Sequence, residues 1–523
     1  MKKKLAVLGC GIAAVPILKK AREMEVETYC FALEELPCAK GLSNFFLPIS
    51  YTNIDAICST CKNLNIDGVI ASSENTTEAA AEVAYNLGLP GNRFEGGFCG
   101  KDKYLMRQCL KESKSVRQPT FYHYEEGRKI SYPVIVKAPD SCSKQGISFV
   151  KNEKELKIAI EYALNATSQH QVLIEEYIGN GVEYSVECLS SHNKHYIIQI
   201  TKKDTAGPPH FLEIGHHQPG ALNEMHYQLI HEKVPEILTA VGICNSMAHV
   251  EIKITEDNQL YFIELGARAG GDRIADTLLA LSVDYDYYKG AIQIALNEFE
   301  TPVVNNVAYS GIYYLSKQTE SIMNLFSVAK NANWCIEINT PKGDLTYAST
   351  NINRDELGGY IIYRSDHKIV AGVDAPWKAV RFNDNPNAVG LMRDFYMHTG
   401  RQIAEEELLL GLQKFVDKGN VFAIFDEGKI IALLNVYCNN FETKIAYINN
   451  VEVLRSYRGK GLSKIIMNSA LTYCTKQGFK TVTLHVAPSN IVAEKLYLSL
   501  GFEKTGVQKK QGEDLLNEYL LKL

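Results

Sequence analysis

Four charged residues have types and spacing that suit the binding of a nucleotide phosphate. Lys137 ends an apolar run, where an ammonium group beside a polar loop can contact phosphates as a point charge. Glu251 and Glu264 each interrupt an apolar strand pattern, and carboxylates on paired strands can hold Mg²⁺ between protein and phosphate oxygens. Arg268 precedes two glycines, so its planar guanidinium suits a phosphate or a carboxylate. The set predicts a magnesium–nucleotide site in the middle of the chain.

Each of these residues, taken alone, also fits an ordinary structural role. A lysine at the end of a strand is commonly a solvated edge charge. The two glutamates can equally form structural ion pairs with Lys253 or Arg268. The order and spacing of all four residues, rather than any one of them, favour the nucleotide site.

A second set of residues, near the C-terminus, suits an anionic cofactor. Gly459 and Gly461 lie between an apolar strand pattern at 446–453 and an amphipathic helix pattern. Glycines at such a junction expose consecutive backbone N–H groups at the positive end of the helix. The neighbouring cations are Arg455, Arg458, Lys460 and Lys464. This arrangement predicts a pyrophosphate site.

The elements that must position these residues begin with alternating strand and helix patterns in the N-terminal piece. Apolar runs at 5–8, 28–31 and 68–71 alternate with helical periodicity, which predicts parallel strands in a doubly wound α/β layer. Gly9 and Gly11 follow the first run. They either present helix-end amides to a phosphate or form a tight turn from strand to helix.

Length and pattern predict several domains of mixed class. A chain of 523 residues is three to four times the length of a typical domain of about 150 residues. We expect four pieces, at 1–98, 99–297, 298–376 and 377–523, with a polar linker at 364–376. The expected fold class is multidomain α/β and α+β.

Composition excludes several classes of protein. A formal net charge of −5 argues against a nucleic-acid surface or an anionic membrane as the main partner. No apolar run approaches the roughly 18 residues that a membrane span needs. The 13 cysteines are odd in number and scattered, which favours reduced thiols in a cytoplasm. The one close pair, Cys58 and Cys61, fits a helix face better than a metal or redox site.

The ordered set in the middle of the chain resembles the ATP-grasp superfamily, over residues 1–365. The resemblance implies a Rossmann-like pre-ATP-grasp domain, an ATP-grasp fold whose two β-rich lobes clamp ATP, and a small β-rich domain. It implies that Glu251 and Glu264 bind Mg²⁺ and that Arg268 faces the transferred phosphoryl group. One departure is Gly266, since many members carry there an asparagine that adds a magnesium ligand.

The same resemblance assigns nucleotide contacts to matching positions. It implies that Lys103 and Lys137 contact phosphates. It implies that Glu175 and the backbone near Tyr177 hold adenine, and that Glu183 takes the ribose hydroxyls. The cofactors implied are ATP and Mg²⁺.

Residues 207–219, which contain His210 and His216, resemble the L-amino-acid ligase branch of the superfamily. In that branch the segment lies near the acyl substrate, so both histidines are candidate substrate-binding residues. The same stretch also fits a surface loop that is kinked by proline.

Residues 377–523 resemble the GNAT acetyltransferases. Their signature is matched by Arg458, Gly461 and Ser463, with serine at a place where glycine or alanine is commoner. The resemblance implies that this loop, with Gly459, binds the pyrophosphate of acetyl-CoA. It also implies that Asn490 contacts the cofactor.

Two further parts of the GNAT resemblance concern the reacting atoms. The strand backbone at Val451 and Val453 would hold the acyl arm, and Tyr497 would give a proton to the departing thiolate. Tyr497 also fits a packed aromatic on a helix. Glu452 is either a base for the amine or a solvent-facing strand residue.

These inferences combine into a cytoplasmic bifunctional enzyme. The expected activities are ATP-dependent joining of a small carboxylate to an amine and acetyl-CoA-dependent N-acetylation of a small amino compound, in a monomer or a homodimer. One alternative keeps a single catalytic domain beside a degenerate binding module. Another makes the chain a non-catalytic sensor of ATP or acyl-CoA.

Overall fold

In the computed structural model, the chain folds into two compact units: residues 1–319 with 333–368, and residues 320–332 with 369–523. The residues that the structure describes are 2–94, 100–113, 115–141, 145–208, 211–340, 359–369, 377, 379–399, 404–426, 429–459, 461–512 and 514–523. His210 lies outside them. The expected domain boundaries remain predictions.

A parallel sheet forms the N-terminal layer of the first unit, as the alternating pattern predicts. Its strands are β1 (Lys4–Leu8), β2 (Glu27–Phe31), β3 (Phe45–Leu47) and β4 (Gly68–Ala71), and its helices are α1 (Val15–Glu23), α2 (Ile54–Leu64) and α3 (Thr77–Leu87). The strand order is β3-β2-β1-β4. Gly9 has a φ of +93°, and a Cβ there would lie 2.5 Å from the Ser72 hydroxyl oxygen. The glycines after β1 therefore form a tight turn against the end of β4.

A small antiparallel sheet follows in the chain. Its strands are β5 (Phe121–His123), β6 (Val134–Lys137), β7 (Ser148–Val150) and β8 (Leu173–Glu176), in the order β5-β8-β6-β7, with helices α4 (Lys103–Cys109) and α5 (Glu153–Ala166). Asp102 caps α4 by accepting a hydrogen bond from the Leu105 amide at 2.8 Å, which fixes where the helix begins.

The main sheet of the first unit has eight antiparallel strands. They are β9 (Gly181–Ser191), β10 (Lys194–Thr205), β11 (Glu213–Gln218), β12 (Ser246–Thr255), β13 (Leu260–Gly266), β14 (Tyr309–Tyr314), β15 (Cys335–Asn339) and β16 (Tyr360–Ser365). Their order is β13-β12-β9-β10-β11-β14-β16-β15. The accompanying helices are α6 (Glu224–Val241), α7 (Leu279–Ser282) and α8 (Tyr287–Ala295), with a π-helix at Ile274–Leu278. Strands β14 to β16, from the expected third piece, continue this sheet.

The N-terminal layer and the main sheet share one hydrophobic core. Leu5 and Ile17 of the layer are buried in the same cluster as Met247 of β12 and Ile292 of α8. Gly68 makes a close approach possible, because a Cβ there would lie 2.4 Å from the carbonyl oxygen of Ala295. The layer is therefore packed directly against a helix more than 200 residues later in the sequence.

The second unit is built on a seven-stranded sheet. Its strands are β17 (Ala379–Arg381), β18 (Asn420–Asp426), β19 (Lys429–Tyr437), β20 (Ile445–Val453), β21 (Thr481–Val486), β22 (Glu503–Gln511) and β23 (Asp514–Lys522), in the order β17-β18-β19-β20-β21-β23-β22. Its helices are α9 (Met323–Ala329), α10 (Ala388–Met397), α11 (Glu405–Lys418), α12 (Leu462–Lys476) and α13 (Ile491–Ser499). No helix in the described ranges is long and apolar enough to cross a membrane.

One of the described cysteines differs from the expectation of reduced thiols. Cys109 is disulfide-bonded, so the expectation is wrong at this residue. Cys58 and Cys61 are free and lie on the buried side of α2, which matches the helix-face interpretation.

Candidate functional site

Lys137 ends β6, and its ammonium group contacts a carboxylate on the neighbouring strand. The distance from Lys137 Nζ to Glu175 Oε2 is 2.6 Å, and Arg107 Nε donates to Glu175 Oε1 at 2.8 Å. Burial would raise the pKa of the Glu175 carboxyl, but the charges of Arg107 and Lys137 outweigh burial and lower that pKa to about 2. Both carboxylate oxygens of Glu175 thus contact cations. Any contact of this segment with an adenine ring would therefore come from its backbone, near Tyr177.

Arg107 is a site residue that sequence reasoning missed. It is 1% exposed, and its Nη2 donates to the carbonyl oxygen of Ile263 at 2.6 Å. Its guanidinium carbon lies 5.1 Å from the ring centroid of Phe262. The guanidinium therefore ties α4 and the small sheet to β13. Its position one helical turn after Lys103 was the available signal, because both residues then share one face of α4.

The Glu175 cluster predicts a loss of stability in acid. The folded carboxyl stays ionised down to about pH 2, whereas the unfolded one takes up a proton near its ordinary pKa of 4.5, so this stabilisation is complete above 4.5 and is lost as pH falls toward 2. Glu175→Gln should lower the unfolding free energy of the first unit at pH 7 by about 3–5 kcal/mol, because two cations stay buried without their charge partner. Urea unfolding followed by circular dichroism between pH 7 and 3 measures both effects.

The matched control is Glu161→Gln, an exposed residue of α5. We expect it to unfold like the parent at every pH, while Glu175→Gln shows the smaller further loss below pH 4.5. Parallel acid profiles of Glu175→Gln and the parent would contradict the ionised buried cluster.

Glu251 and Glu264 face each other across paired strands. Glu251 of β12 is in register with Glu264 of β13, beside a β-bulge. Lys103 Nζ lies 2.9 Å from Glu264 Oε1, and Lys203 Nζ contacts Glu251 Oε1. Both glutamate side chains are 25% exposed, whereas the two lysines are buried. The alternative expectation was that these glutamates form ion pairs with Lys253 or Arg268. In the structure they contact Lys103 and Lys203 instead.

The two carboxylates fit a Mg²⁺ ion that takes most of its ligands from elsewhere. Mg²⁺ prefers oxygen ligands and commonly binds through one or two carboxylates, substrate phosphates and water. In the described part of the chain, no group of three or more His, Cys, Asp or Glu side chains could hold a metal ion. Two carboxylates therefore suit a Mg²⁺ ion that is also bound by nucleotide phosphates and water.

Glu251 belongs to a row of side chains whose charges alternate in sign. Its members, on four neighbouring strands, are Glu187, His249, Glu251, Lys203 and Glu213. Burial would lower the pKa of His249, but Glu187 outweighs burial and raises that pKa to about 9. Burial would likewise lower the pKa of Lys203, and the neighbouring carboxylates raise it above its usual range. Glu251 is therefore held between two cations.

The charge pattern alone did not identify Lys203, His249 or Glu187 as candidate site residues. The available signal was the period-two recurrence of polar residues on β9, at Glu183, Ser185 and Glu187, which marks one polar face of the strand.

Tyr177 and Glu183 lie near a group of aromatic rings. The ring centroid of Tyr177 is 4.6 Å from that of Phe149 and 6.0 Å from that of Phe211. Lys253 Nζ lies 3.7 Å from Glu183 Oε1 and 5.8 Å from the Tyr177 ring centroid. Flat apolar rings beside a carboxylate suit a base and its ribose, and the nucleotide roles of these residues stay predictions.

Arg268 follows β13 and interacts electrostatically with Glu187 and Glu251, and His216 lies on β11. Arg268 Nε donates to Glu74 Oε2 at 2.8 Å, and Glu74 comes from the N-terminal layer. His216 of β11 is fully buried, in register with Lys203, and its ring centroid lies 6.2 Å from that of Tyr314. Substrate binding by His216 stays a prediction, as does that by His210.

In the second unit, the predicted pyrophosphate loop has the backbone that its glycines suggest. Gly459 and Gly461 have φ values of +78° and +77°, and Gly461 is the N-cap of α12. This left-handed conformation favours glycine, because a Cβ would meet the backbone there. The first N–H groups of α12, up to Ser463, lie at the positive end of a helix of 15 residues. Such an end suits a pyrophosphate.

Strands β20 and β21 separate beside this loop. They pair in parallel from Ile445 with Thr481 to Ile448 with Leu484, while β20 continues to Val453. The described pairing of β20 with β21 therefore ends at Ile448. Val451 and Val453 lie in the part of β20 beyond it, and the Val453 carbonyl accepts a hydrogen bond from Arg458 Nε at 3.2 Å. An extended acyl arm could pair with this part of β20.

Asn490 and Tyr497 lie at the start and in the body of α13. The Asn490 side chain accepts a hydrogen bond from the Ala493 amide at 3.2 Å, so it caps the helix. Tyr497 is 8% exposed, and its ring lies 5.9 Å from that of Phe502. Burial raises the pKa of Tyr497 from 10 to about 12, and at either value its hydroxyl is protonated at neutral pH. The contacts of the ring fit the packing role, and the protonated hydroxyl fits the donor role.

Comparison with known proteins agrees with the two-part architecture. Residues 130–276 match the model of the ATP-grasp domain, and residues 388–502 match that of the acetyltransferase (GNAT) family. A curated relative, the uncharacterized protein y4rH of Sinorhizobium fredii, is 23% identical over 265 residues, which are 48% of this chain. The match spans 54% of the length of that relative.

Solved structures share the fold of about 70% of the chain. The L-amino acid ligase from Bacillus licheniformis matches with a TM-score of 0.58 and 22% identity, over 70% of this chain and 94% of that one. The N5-carboxyaminoimidazole synthetase from Staphylococcus aureus, complexed with ADP, matches with a TM-score of 0.55 and 16% identity, over 70% and 95%. The expected fold class is confirmed: the chain contains an ATP-grasp domain and a domain of the acetyltransferase (GNAT) family.

Proposed function

We propose that the first unit is an ADP-forming ligase that joins a small carboxylate to an amine. The observation that carries the proposal is the opposed pair Glu251 and Glu264, each in contact with a buried lysine. Lys137, Lys103 and Arg268 add three cations for the phosphates of ATP. Such positioning and charge neutralisation supply most of the catalysis in phosphoryl transfer.

The reaction we propose has two steps. A carboxylate oxygen of the acid attacks the γ-phosphorus of ATP, and the bond from that phosphorus to the β-phosphate oxygen breaks. ADP departs, and the acid is left as an acyl phosphate. The amine nitrogen then attacks the acyl carbon, phosphate departs with the electron pair of the C–O bond, and the amine loses a proton to give the amide. Mg²⁺ between Glu251, Glu264 and the phosphates would neutralise charge when bound.

We also propose that the second unit transfers an acetyl group from acetyl-CoA to a small primary amine. The separation of β20 from β21 beside the left-handed glycines supports this proposal. The backbone of Val451 and Val453 would contact the acyl arm, and the first N–H groups of α12 would contact the pyrophosphate. Joining two sites in one chain raises the effective concentration of a shared intermediate, which favours sequential modification of one compound. A cytoplasmic location and a homodimer remain predictions.

The test is ADP release from MgATP against a panel of amino acids and amino sugars, with and without acetyl-CoA, with thiol release measured in parallel. We expect ADP only when an acid and an amine are both present, and thiol only when an amine is present. ADP release without thiol release, or the reverse, would favour a single catalytic domain. Binding of both nucleotides without either release would favour a sensor.

Arg458→Ala should weaken acetyl-CoA binding before it affects the chemical step. We expect the Kd of acetyl-CoA to rise about tenfold, because a charge-assisted contact with the pyrophosphate is lost, while kcat changes by less than about threefold. Calorimetry and thiol-release kinetics measure the two quantities. Lys476→Ala, which removes an exposed cation from the far end of α12, is the control and should leave both unchanged. A variant of Arg458 with the parent affinity would contradict the assigned contact.

A further inference from the structure

Gly266, the last residue of β13, lies where a side chain would collide with an ion pair. A Cβ at this position would be 2.8 Å from Glu74 Oε2 and 3.3 Å from Arg268 Nε. The pair therefore takes the space in which many ATP-grasp members place an asparagine. The glycine, noted above as a departure from the family pattern, is what admits the carboxylate of Glu74.

Glu74 reaches this place from a rigid part of the N-terminal layer. It begins a short 3₁₀ turn after β4, in which the Ser73 amide donates to Thr76 Oγ1 at 3.1 Å and Thr77 Oγ1 donates to the Glu74 carbonyl oxygen at 2.9 Å. The carboxylate side chain is only 12% exposed. The backbone at Glu74 is thus fixed by local hydrogen bonds, and the charge of the side chain is largely shielded from water.

The contacts of Arg268 leave one end of its guanidinium for a ligand. Nε donates to Glu74 at 2.8 Å and Nη1 donates to the Ala269 carbonyl oxygen at 2.8 Å. Within the described residues, Nη2 has no hydrogen-bond partner. The two contacts fix the plane of the guanidinium and therefore the direction in which Nη2 points.

We propose that Glu74 is a positioning residue, which holds Arg268 so that its free nitrogen meets the γ-phosphate of ATP. This inference rests on the proposed ligase function. An arginine side chain has considerable rotamer freedom, and a charge-assisted hydrogen bond to a shielded carboxylate removes that freedom before the nucleotide binds. Because only ATP carries a γ-phosphate, the contribution of Glu74 should be visible in ATP affinity and absent from ADP affinity.

The experiment compares the binding of MgADP and of a non-hydrolysable ATP analogue with Mg²⁺ by calorimetry, so no acid or amine is needed. Glu74→Gln should weaken binding of the analogue about tenfold, while the Kd of MgADP stays within about twofold of the parent. Gly266→Ala should give the same selective loss, since its methyl group displaces the Glu74 carboxylate. Glu78→Gln, an exposed glutamate on α3 of the same layer, should change neither affinity.

Arg268→Ala separates the outcomes. We expect it to lose the analogue affinity at least as strongly as Glu74→Gln, and the double variant to be no weaker than Arg268→Ala alone. If Arg268→Ala no longer binds the ATP analogue more tightly than MgADP, while Glu74→Gln and Gly266→Ala keep the parent ratio of the two affinities, the positioning role is overturned. If Arg268→Ala itself keeps the preference, the γ-phosphate contact is overturned with it. If the parent binds neither nucleotide, the proposed ligase function fails instead.

Discussion

Replacing Glu264 by alanine should reduce Mg²⁺-dependent ADP formation at least about 100-fold, a loss typical of removing one electrostatic contact to a transition state. The change removes a carboxylate that faces Glu251 and leaves the buried ammonium of Lys103 without that partner. A Mg²⁺ ion at the phosphates would then have one protein carboxylate fewer to bind it. A coupled assay of ADP release measures the loss, and thiol release by the second unit of the same preparation should stay at the parent rate.

The control for this prediction is Glu256→Ala, an exposed residue of the turn between β12 and β13, which should keep the parent rate. Glu264→Gln keeps the shape of the side chain and should need a higher Mg²⁺ concentration for half-maximal activity. Undiminished ADP formation by Glu264→Ala would show that this carboxylate does not bind the metal.

Replacing Tyr497 by phenylalanine should lower kcat for acetyl transfer by about 10- to 1000-fold, the range of a general-acid contribution. After the amine attacks the thioester, the tetrahedral intermediate expels a thiolate, which needs a proton. Tyr497 is protonated at neutral pH, as an ordinary tyrosine is, and burial raises its pKa further, to about 12. Thiol-release kinetics give kcat, and calorimetry should show that the Kd of acetyl-CoA changes little.

Tyr473→Phe tests whether loss of any tyrosine hydroxyl in this unit has the same effect. Tyr473 lies on α12, with its ring 5.6 Å from that of Phe422, and the variant should acetylate like the parent. If Tyr497→Phe also acetylates at the parent rate, Tyr497 is a packing residue and the thiolate leaves unassisted or through water.

Local sequence could predict that Glu251 and Glu264 lie close together, because their strands are joined by a short turn. It could not predict that they face each other, because the register set by the turn would place Glu251 opposite Ile263, and the β-bulge between Glu251 and Ile252 shifts it to Glu264. The conformation of the glycines before α12 could be predicted as well, since a strand-to-helix junction with two glycines limits the backbone to few conformations. Both predictable features depend on contacts that are close in sequence.

The partners of the charged residues could not be predicted in this way. Arg107 and Glu175 are 68 residues apart, and Arg268 and Glu74 are 194 residues apart. Such pairs depend on how helix α4, the small sheet and the N-terminal layer pack, and that packing follows from the hydrophobic core. The charge pattern alone left several lysines and arginines equally available to each glutamate.

The core that the N-terminal layer shares with α8 has a consequence for synthesis of the protein. The apolar face around Leu5 and Ile17 is covered by residues that include Ile292, so it stays uncovered on the ribosome until that helix has emerged. At about 5–20 residues per second, the 275 residues from Ile17 to Ile292 take about 14–55 s to translate. During this interval the nascent layer exposes an apolar surface, to which chaperones that recognise emerging chains can bind. The first unit therefore completes its fold late, and as a whole.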